Sequence, residues 1–354
     1  YTLYIYIYIH SYMSDDQPAF EEFKSLYIDE LTGILCDVQG EPIARRTRIL
    51  WELRSKIGKN VRHTAQQKQT QRFTAADLVK QMHLALKADT HGVLMRHEIC
   101  YLLGQVGDLT ALPILNDILA DLKEDPMTRH EAAEALGAIG ESSSLPLLRK
   151  YLNDKSSAVV DTCELAIDSI LYRTEAKIKS KDSKFLSVDP APHEEESASV
   201  TKLRLQLMDT NLSLFKRYRS MFSLRDIGTD EALEALCDAM EADKSALLRH
   251  EIAFVLGQTQ VPNKRVLQTL LKALQDTSDA TMVRHEAAEA LGSIADPSTM
   301  KLLQKHLKDQ ERPVAQSCAI ALDVTDYWQS FGKDDKPELQ NVKNLVNKGT
   351  LAEQ

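Results

Sequence analysis

The nonapeptide RHEAAEALG occurs at residues 129–137 and again at 284–292. A second pair accompanies it, RHEICYLLGQ at 96–105 and RHEIAFVLGQ at 249–258. With the second pair as motif A and the nonapeptide as motif B, the order along the chain is A, B, A, B. His97 precedes His130 by 33 residues and His250 precedes His285 by 35, whereas A recurs after 153 and B after 155. A period of about 34 residues is therefore nested inside a duplication of half the protein. A period of this length implies one supersecondary unit per repeat, stacked on copies of itself to bury a continuous core.

Each period carries two helical patterns. ALPILNDILADL places Leu112, Leu115, Ile118, Leu119 and Leu122 on one face of a helix. RHEAAEALGAIG then places Ala132, Ala135, Leu136 and Ile139 on one face and stops at Gly140, a residue that ends helices readily. Four such hairpins fit in each half. The fourth of each half reads SLPLLRKYLND with SAVVDTCELAIDSIL, and TMKLLQKHLKD with RPVAQSCAIALD. The first carries Arg48, Leu50, Trp51, Leu53 and Arg54 in RILWELR, answered by Arg219, Met221, Phe222, Leu224 and Arg225 in RSMFSLR. The reading is all-α, an α-solenoid of eight helical hairpins in two pseudo-symmetric halves. A composition 43% hydrophobic but only 6% aromatic agrees, because small and straight-chain apolar residues suit stacked helices.

This divides the chain into an extension (1–19), an N-terminal half (20–173), a linker (174–201), a C-terminal half (202–330) and a polar tail (331–354). The first twelve residues, YTLYIYIYIHSY, match neither repeat and lack the basic start of a signal peptide; they are expected to be dispensable. The spacing from Arg54 to His97 exceeds that from Arg225 to His250 by 18 residues, which predicts a surface-loop insertion near 59–76. The linker, TEAKIKSKDSKFLSVDPAPHEEESASVT, is charged and bears Ser and Pro. A formal charge of −9 disfavours nucleic acid as a partner and suits a cationic one. No apolar run reaches the ~20 residues of a membrane span. Five unpaired-looking cysteines (Cys36, Cys100, Cys163, Cys237, Cys318) point to a reducing, cytoplasmic setting.

The Arg-His-Glu opening is the chemical signal. Four of the ten histidines occupy it, at the start of a repeat's second helix. Glu in a first turn complements the helix dipole, and Arg can pair with an acid in the next repeat. Neither accounts for His, which gains nothing at a positive helix end. The fourth hairpins, opening SSAVVDT and ERPVAQS, lack His-Glu, so stacking does not require it. Equivalent positions in stacked helices lie ~8–10 Å apart, a gap that imidazole and carboxylate arms close onto a metal ion. Four His and four Glu without a thiolate suit an oxygen- and nitrogen-loving metal, and two His with one carboxylate is the facial set of non-haem iron. Duplication then suggests two such sets, one per half, facing each other across a hinge at the linker. Gln105, Gln258, Glu134 and Glu289 are read as contacts between repeats, and Met127 and Met282 as core. The histidines outside the motifs (His10, His63, His83, His91, His193, His306) receive no role.

The four His-Glu pairs, LGQ after motif A, EALG after motif B and FLSVDPAP at 185–192 together resemble the deoxyhypusine hydroxylase family, whose repeats are HEAT-like. The resemblance covers about residues 20–325, departing at the N-terminal segment and the inserted loop. It implies an O2-dependent monooxygenase that completes hypusine on eukaryotic translation initiation factor 5A and works as a monomer with two Fe(II) ions. By motif, His97, His130 and Glu131 would hold one iron, and His250, His285 and Glu286 the other. Glu98 and Glu251 would receive the cationic substrate arm. A non-enzymatic HEAT-repeat scaffold and a HEAT-like chromophore lyase are the rival classes, and neither needs His-Glu at A and B in both halves.

Overall fold

The computed structural model describes Phe23 and residues 26–87, 91–176, 185, 187–194 and 198–330. Residues 1–12 and the tail 331–354 lie outside the described residues, as does part of the linker. Sixteen α-helices are found among the described residues. In the first half they are α1 (Ile28–Cys36), α2 (Ile43–Ser55), α3 (Ala75–Lys87), α4 (Val93–Val106), α5 (Leu112–Ala120), α6 (Pro126–Ile139), α7 (Leu145–Lys150) and α8 (Ser157–Ala176). In the second they are α9 (Val200–Met208), α10 (Leu214–Ile227), α11 (Asp230–Ala242), α12 (Ala246–Thr259), α13 (Lys264–Gln275), α14 (Thr281–Ile294), α15 (Met300–His306) and α16 (Arg312–Ser330). The inserted segment forms a small antiparallel hairpin, β1 (Asn60–Val61) with β2 (Gln71–Arg72). Its Arg62 and His63 carbonyls accept from the Ile28 and Asp29 amides at the start of α1, so it satisfies donors that a helix start leaves open.

The odd-numbered helices are amphipathic and lie outside. α13 buries Val266, Leu267, Leu270, Ala273 and Leu274 and leaves its Lys and Gln residues to solvent. The even-numbered helices are buried nearly all round, α4, α6, α12 and α14 most of all. Side-chain caps open several helices, as where Asp125 accepts from the Met127 amide and Ser245 from the Leu248 amide. Gly140 ends α6 in the left-handed conformation, φ 81°. Ala295 adopts the same conformation after α14, φ 55°. Leu122 departs from the periodicity: it lies beyond the end of α5 and is 73% exposed. Asp121 terminates the helix first.

Two side-chain devices repeat along the stack. The first is the motif glycine. A Cβ built on Gly104, Gly137, Gly257 or Gly292 would lie 2.8, 3.0, 2.9 or 2.5 Å from the Cα of Ala135, Ala166, Ala290 or Ala321, in the next even-numbered helix. These glycines let backbones touch. The second is the arginine near the start of α2, α4, α6, α10, α12 and α14. Arg129 donates Nε to the Leu119 carbonyl (3.0 Å) and its two terminal nitrogens to Asp154 in the next repeat (3.1 and 2.7 Å). Arg284 does the same with Leu274 and Asp309 and Arg249 with Met240 and Asp279, while Arg217 bonds the Leu207 carbonyl through Nε and Asp243 through one terminal nitrogen. Arg96 bonds the Leu86 carbonyl and Glu124, and Arg46 the Leu35 carbonyl and the ring of His91. The arginine of Arg-His-Glu is thus a stacking residue.

The even helices close into a ring: each packs on the next from α2 to α16, and α16 packs back on α2. At that closure Arg48 pairs with Asp323. The halves therefore meet on both sides, not across one open hinge.

Candidate metal centre

His97, His130, His250 and His285 each follow the stacking arginine of their helix by one residue, as the fifth residue of α4, α6, α12 and α14. The arginine fixes the helix rotation, and the next side chain turns into the ring. All four imidazoles are fully buried and converge. Ring centroids are 5.4 Å apart for His97–His130, 5.5 Å for His130–His250, 5.3 Å for His250–His285 and 5.2 Å for His285–His97. Two sequence motifs from each half thus meet at one point. In the first and fifth hairpins the equivalent positions hold Thr47 and Tyr218, which bring neither imidazole nor carboxylate.

The acids stand beside them, and Glu98, Glu131, Glu251 and Glu286 are buried too. His97 Nε2 lies 3.1 Å from Glu131 Oε2, and its Nδ1 lies 3.2 Å from Glu98 Oε1. His250 Nε2 lies 3.5 Å from Glu286 Oε2. His97, His130 and Glu131 bring ligand atoms within 4.8 Å of one another, as do His285, Glu286 and Glu289, and also His97, His250 and His285. The first group matches the set expected in the first half. In the second half Glu289 joins His285 and Glu286, while His250 sits between the two groups. Glu289 Oε1 accepts from Ser317 Oγ of the next repeat (2.7 Å) and lies 3.6 Å from His285 Nδ1, so it orients that ring from one turn further along the same helix. Its role as an orienting group is not legible in the sequence, because the Ser317 partner is 28 residues away.

The electrostatics are those of a ligand cluster. Burial disfavours charge on His97, yet Glu131 and Glu98 overcome it and raise its pKa to about 10. His130 and His250 are pushed well below the usual imidazole range by burial and by neighbouring imidazoles. Burial, with Glu289 close by, raises Glu286 well above the usual carboxyl range. Glu289 is held low against burial, chiefly by its contact with His285. Among the described residues, neither ring nitrogen of His130 nor Oε2 of Glu286 has a hydrogen-bond partner. Buried polar atoms without partners are costly, and a divalent cation ligated by neutral imidazole and carboxylate would relieve them. The donor set fits a metal.

The other expectations distribute plainly. Met127 and Met282 are buried. Gln105 and Gln258, at the far ends of α4 and α12, both grip the linker: Gln105 Oε1 accepts from the Val188 amide (2.8 Å) and Gln258 Nε2 donates to Ser187 Oγ (3.0 Å). Asp189 follows with a two-point ion pair to the buried Arg225 (3.1 and 2.7 Å), whose guanidinium stacks on Phe185, 4.2 Å from the ring centroid. The segment FLSVDPAP is thereby strapped across both halves. His91 and His306 meet Arg46 and Asp309, in the arginine ladder and not at the centre. None of the described helices is long and apolar enough to cross a membrane. The cysteines Cys36, Cys100, Cys163, Cys237 and Cys318 are free.

Known proteins of the same kind carry the same architecture. Residues 81–167 and 233–323 match HEAT repeats, and residues 216–242 match the PBS lyase HEAT-like repeat. The chain is 41% identical over 329 residues to deoxyhypusine hydroxylase of Gibberella zeae, covering 89% of this chain and 94% of that protein. It is 43% identical over 325 residues to deoxyhypusine hydroxylase of Dictyostelium discoideum, covering 90% and 96%. The structure of human deoxyhypusine hydroxylase in complex with glycerol superposes with a TM-score of 0.75 at 38% identity, over 85% of this chain and 96% of that one. With repeats, ring and His-Glu constellation accounted for together, the chain belongs to the deoxyhypusine hydroxylase family.

Proposed function

We propose that this protein hydroxylates the deoxyhypusine side chain of eukaryotic translation initiation factor 5A, using O2 and two Fe(II) ions, as a cytoplasmic monomer. His97, His130 and Glu131 hold one ion, and His250, His285 and Glu286 hold the other. The halves 20–173 and 202–330 contribute one set each. The observation that carries this reading is the convergence of four buried imidazoles from both halves on one point. When bound, the iron pair supplies reductive activation of O2 and transfer of one oxygen atom to carbon.

The chain's own residues do the rest. Glu98 and Glu251, next in sequence to His97 and His250, receive the ammonium of the aminobutyl arm, because a buried carboxylate makes a charge-assisted contact that a neutral group cannot. That contact fixes which carbon faces the ions. The arginine ladder and motif glycines hold α4, α6, α12 and α14 in register, so ligand geometry does not depend on loops. Burial of every ligand excludes bulk water from the reacting centre. His97 would have to be neutral to hold an ion, so the proton that Glu131 and Glu98 favour on its ring would have to leave it.

The direct test is incubation with the deoxyhypusine-bearing factor, reductant and O2. Gain of one oxygen atom on the modified lysine, absent without O2, is expected. An unchanged substrate mass with iron-loaded protein would refute the assignment.

A further inference from the structure

The two halves repeat each other, yet one matched pair of hydroxyls behaves differently in them. Glu134 follows His130 by four residues in α6, and Glu289 follows His285 by four in α14. In each half the residue 28 positions further on carries a hydroxyl in the next even helix, Thr162 in α8 and Ser317 in α16. The motif glycines make this match spatial as well as sequential. Gly137 packs on Ala166 and Gly292 on Ala321, and Thr162 and Ser317 each precede that alanine by four residues, about one turn. Both are fully buried, in the fourth hairpins that carry no His-Glu.

A hydroxyl has one proton to donate. Thr162 Oγ1 gives it to the Ala158 carbonyl of its own helix (2.8 Å), so none is left for Glu134. Ser317 Oγ gives it to Glu289 Oε1 (2.7 Å), the same oxygen that lies 3.6 Å from His285 Nδ1. Helix approach favours this second arrangement. A Cβ on Gly292 would lie 2.5 Å from the Ala321 Cα, against 3.0 Å for Gly137 and Ala166. Serine is also free of the second branch that restricts threonine at χ1. The Glu289 carboxylate is therefore held from the last repeat while it faces His285. A fixed carboxylate at Nδ1 selects the tautomer with its proton there and leaves Nε2 to an ion.

We propose that Ser317 is a positioning residue for His285, acting through Glu289, and that the ligand set of the second half consequently holds its ion more tightly than that of the first. This rests on the two ligand sets given under the proposed function. The last hairpin, which supplies no ligand, then tunes one of the two ions.

Chelator competition on the full-length, iron-loaded protein, kept without O2, reads how tightly each ion is held. Ser317→Ala is expected to weaken one ion about tenfold, the lower end of the effect of removing a group that orients a ligand, and to leave the other unchanged. Glu289→Gln, which keeps side-chain volume, should do the same, and Thr162→Ala should alter neither ion. Added to His130→Ala, Ser317→Ala should still weaken the remaining ion; added to Glu286→Ala, it should have no further effect. Nitrogen-15 NMR of the metal-free protein should show the His285 ring proton on Nδ1 in the parent and divided between the two nitrogens in Ser317→Ala, a change that packing alone does not produce. Equal weakening of both ions, or an unmoved His285 signal, overturns the proposal. Two ions held as tightly in Ser317→Ala as in the parent overturn it and leave the ligand sets standing. A parent that binds no iron overturns the ligand sets and this proposal with them.

Discussion

Arg48 and Asp323 stand 275 positions apart in sequence and form a two-point ion pair, with Nε and Nη2 of the arginine 2.8 and 2.6 Å from the two carboxylate oxygens. This pair joins the first hairpin to the last and turns a stack into a ring. Both side chains keep about a fifth to a quarter of their exposure, so screening by solvent limits the contribution to about 1 kcal/mol. Arg48→Asp alone should lower unfolding stability by that amount or slightly more. Combining it with Asp323→Arg should recover most of the loss, and a denaturant-melt double-mutant cycle measures the coupling.

Two glycine substitutions should diverge. A Cβ on Gly292 would meet the backbone of Ala321 at 2.5 Å, and backbone cannot rotate aside. Gly292→Ala should therefore cost about 1–3 kcal/mol through forced separation of α14 and α16. Gly33, exposed within α1, has nothing within 4 Å. Gly33→Ala should leave stability equal or raise it by about 0.5–1 kcal/mol. Thermal melts of the two variants decide, and equal effects would show that the close approach is unimportant.

Acid should unfasten the arginine ladder at its last rung. Burial opposes charge on Asp309, but its bonds to Arg284 and His306 bring its pKa down to about 2. Its folded pKa is depressed, so its stabilisation is complete above the ordinary carboxyl value of about 4 and disappears as pH falls through about 2. Asp309→Asn should be less stable than the parent at pH 6, and the difference should shrink between pH 4 and pH 2. A difference independent of pH would contradict this role.

The substrate carboxylates should separate from the ligands. Glu98→Ala and Glu251→Ala should retain most of the metal but weaken binding of the deoxyhypusine-bearing factor roughly ten- to over a hundred-fold, for a contact of about 1.5–3 kcal/mol. Titration of each variant with the factor measures it. Metal loss as complete as in Glu131→Ala would show that these glutamates ligate.

Much of this was legible because the duplication wrote it twice. Helical hairpins, their number and the inward-facing His-Glu pairs follow from a periodicity that local pattern carries. The arginine of the motif was recognisable as a stacking residue only in part, since its acid lies 25–30 residues on, in the next repeat's turn. Ring closure was not legible, because Arg48 and Asp323 share no pattern and touch only after eight repeats have curved. Nor was the grip of Gln105 and Gln258 on the linker: both follow a motif glycine and read as repeat contacts until Ser187 and Val188 are placed between them. At the centre, sequence paired His97 with His130. Space also brings His97 against His250 and His285, because the halves face each other.

Iron per chain is the most direct measure of the central claim. Protein made in iron-replete medium should carry about two irons per chain, and His97→Ala, Glu131→Ala, His250→Ala and Glu286→Ala should each empty one site and abolish turnover, because each half supplies one ligand set. Fewer than one iron per chain in the parent, or stoichiometric zinc in fully active protein, would contradict the account.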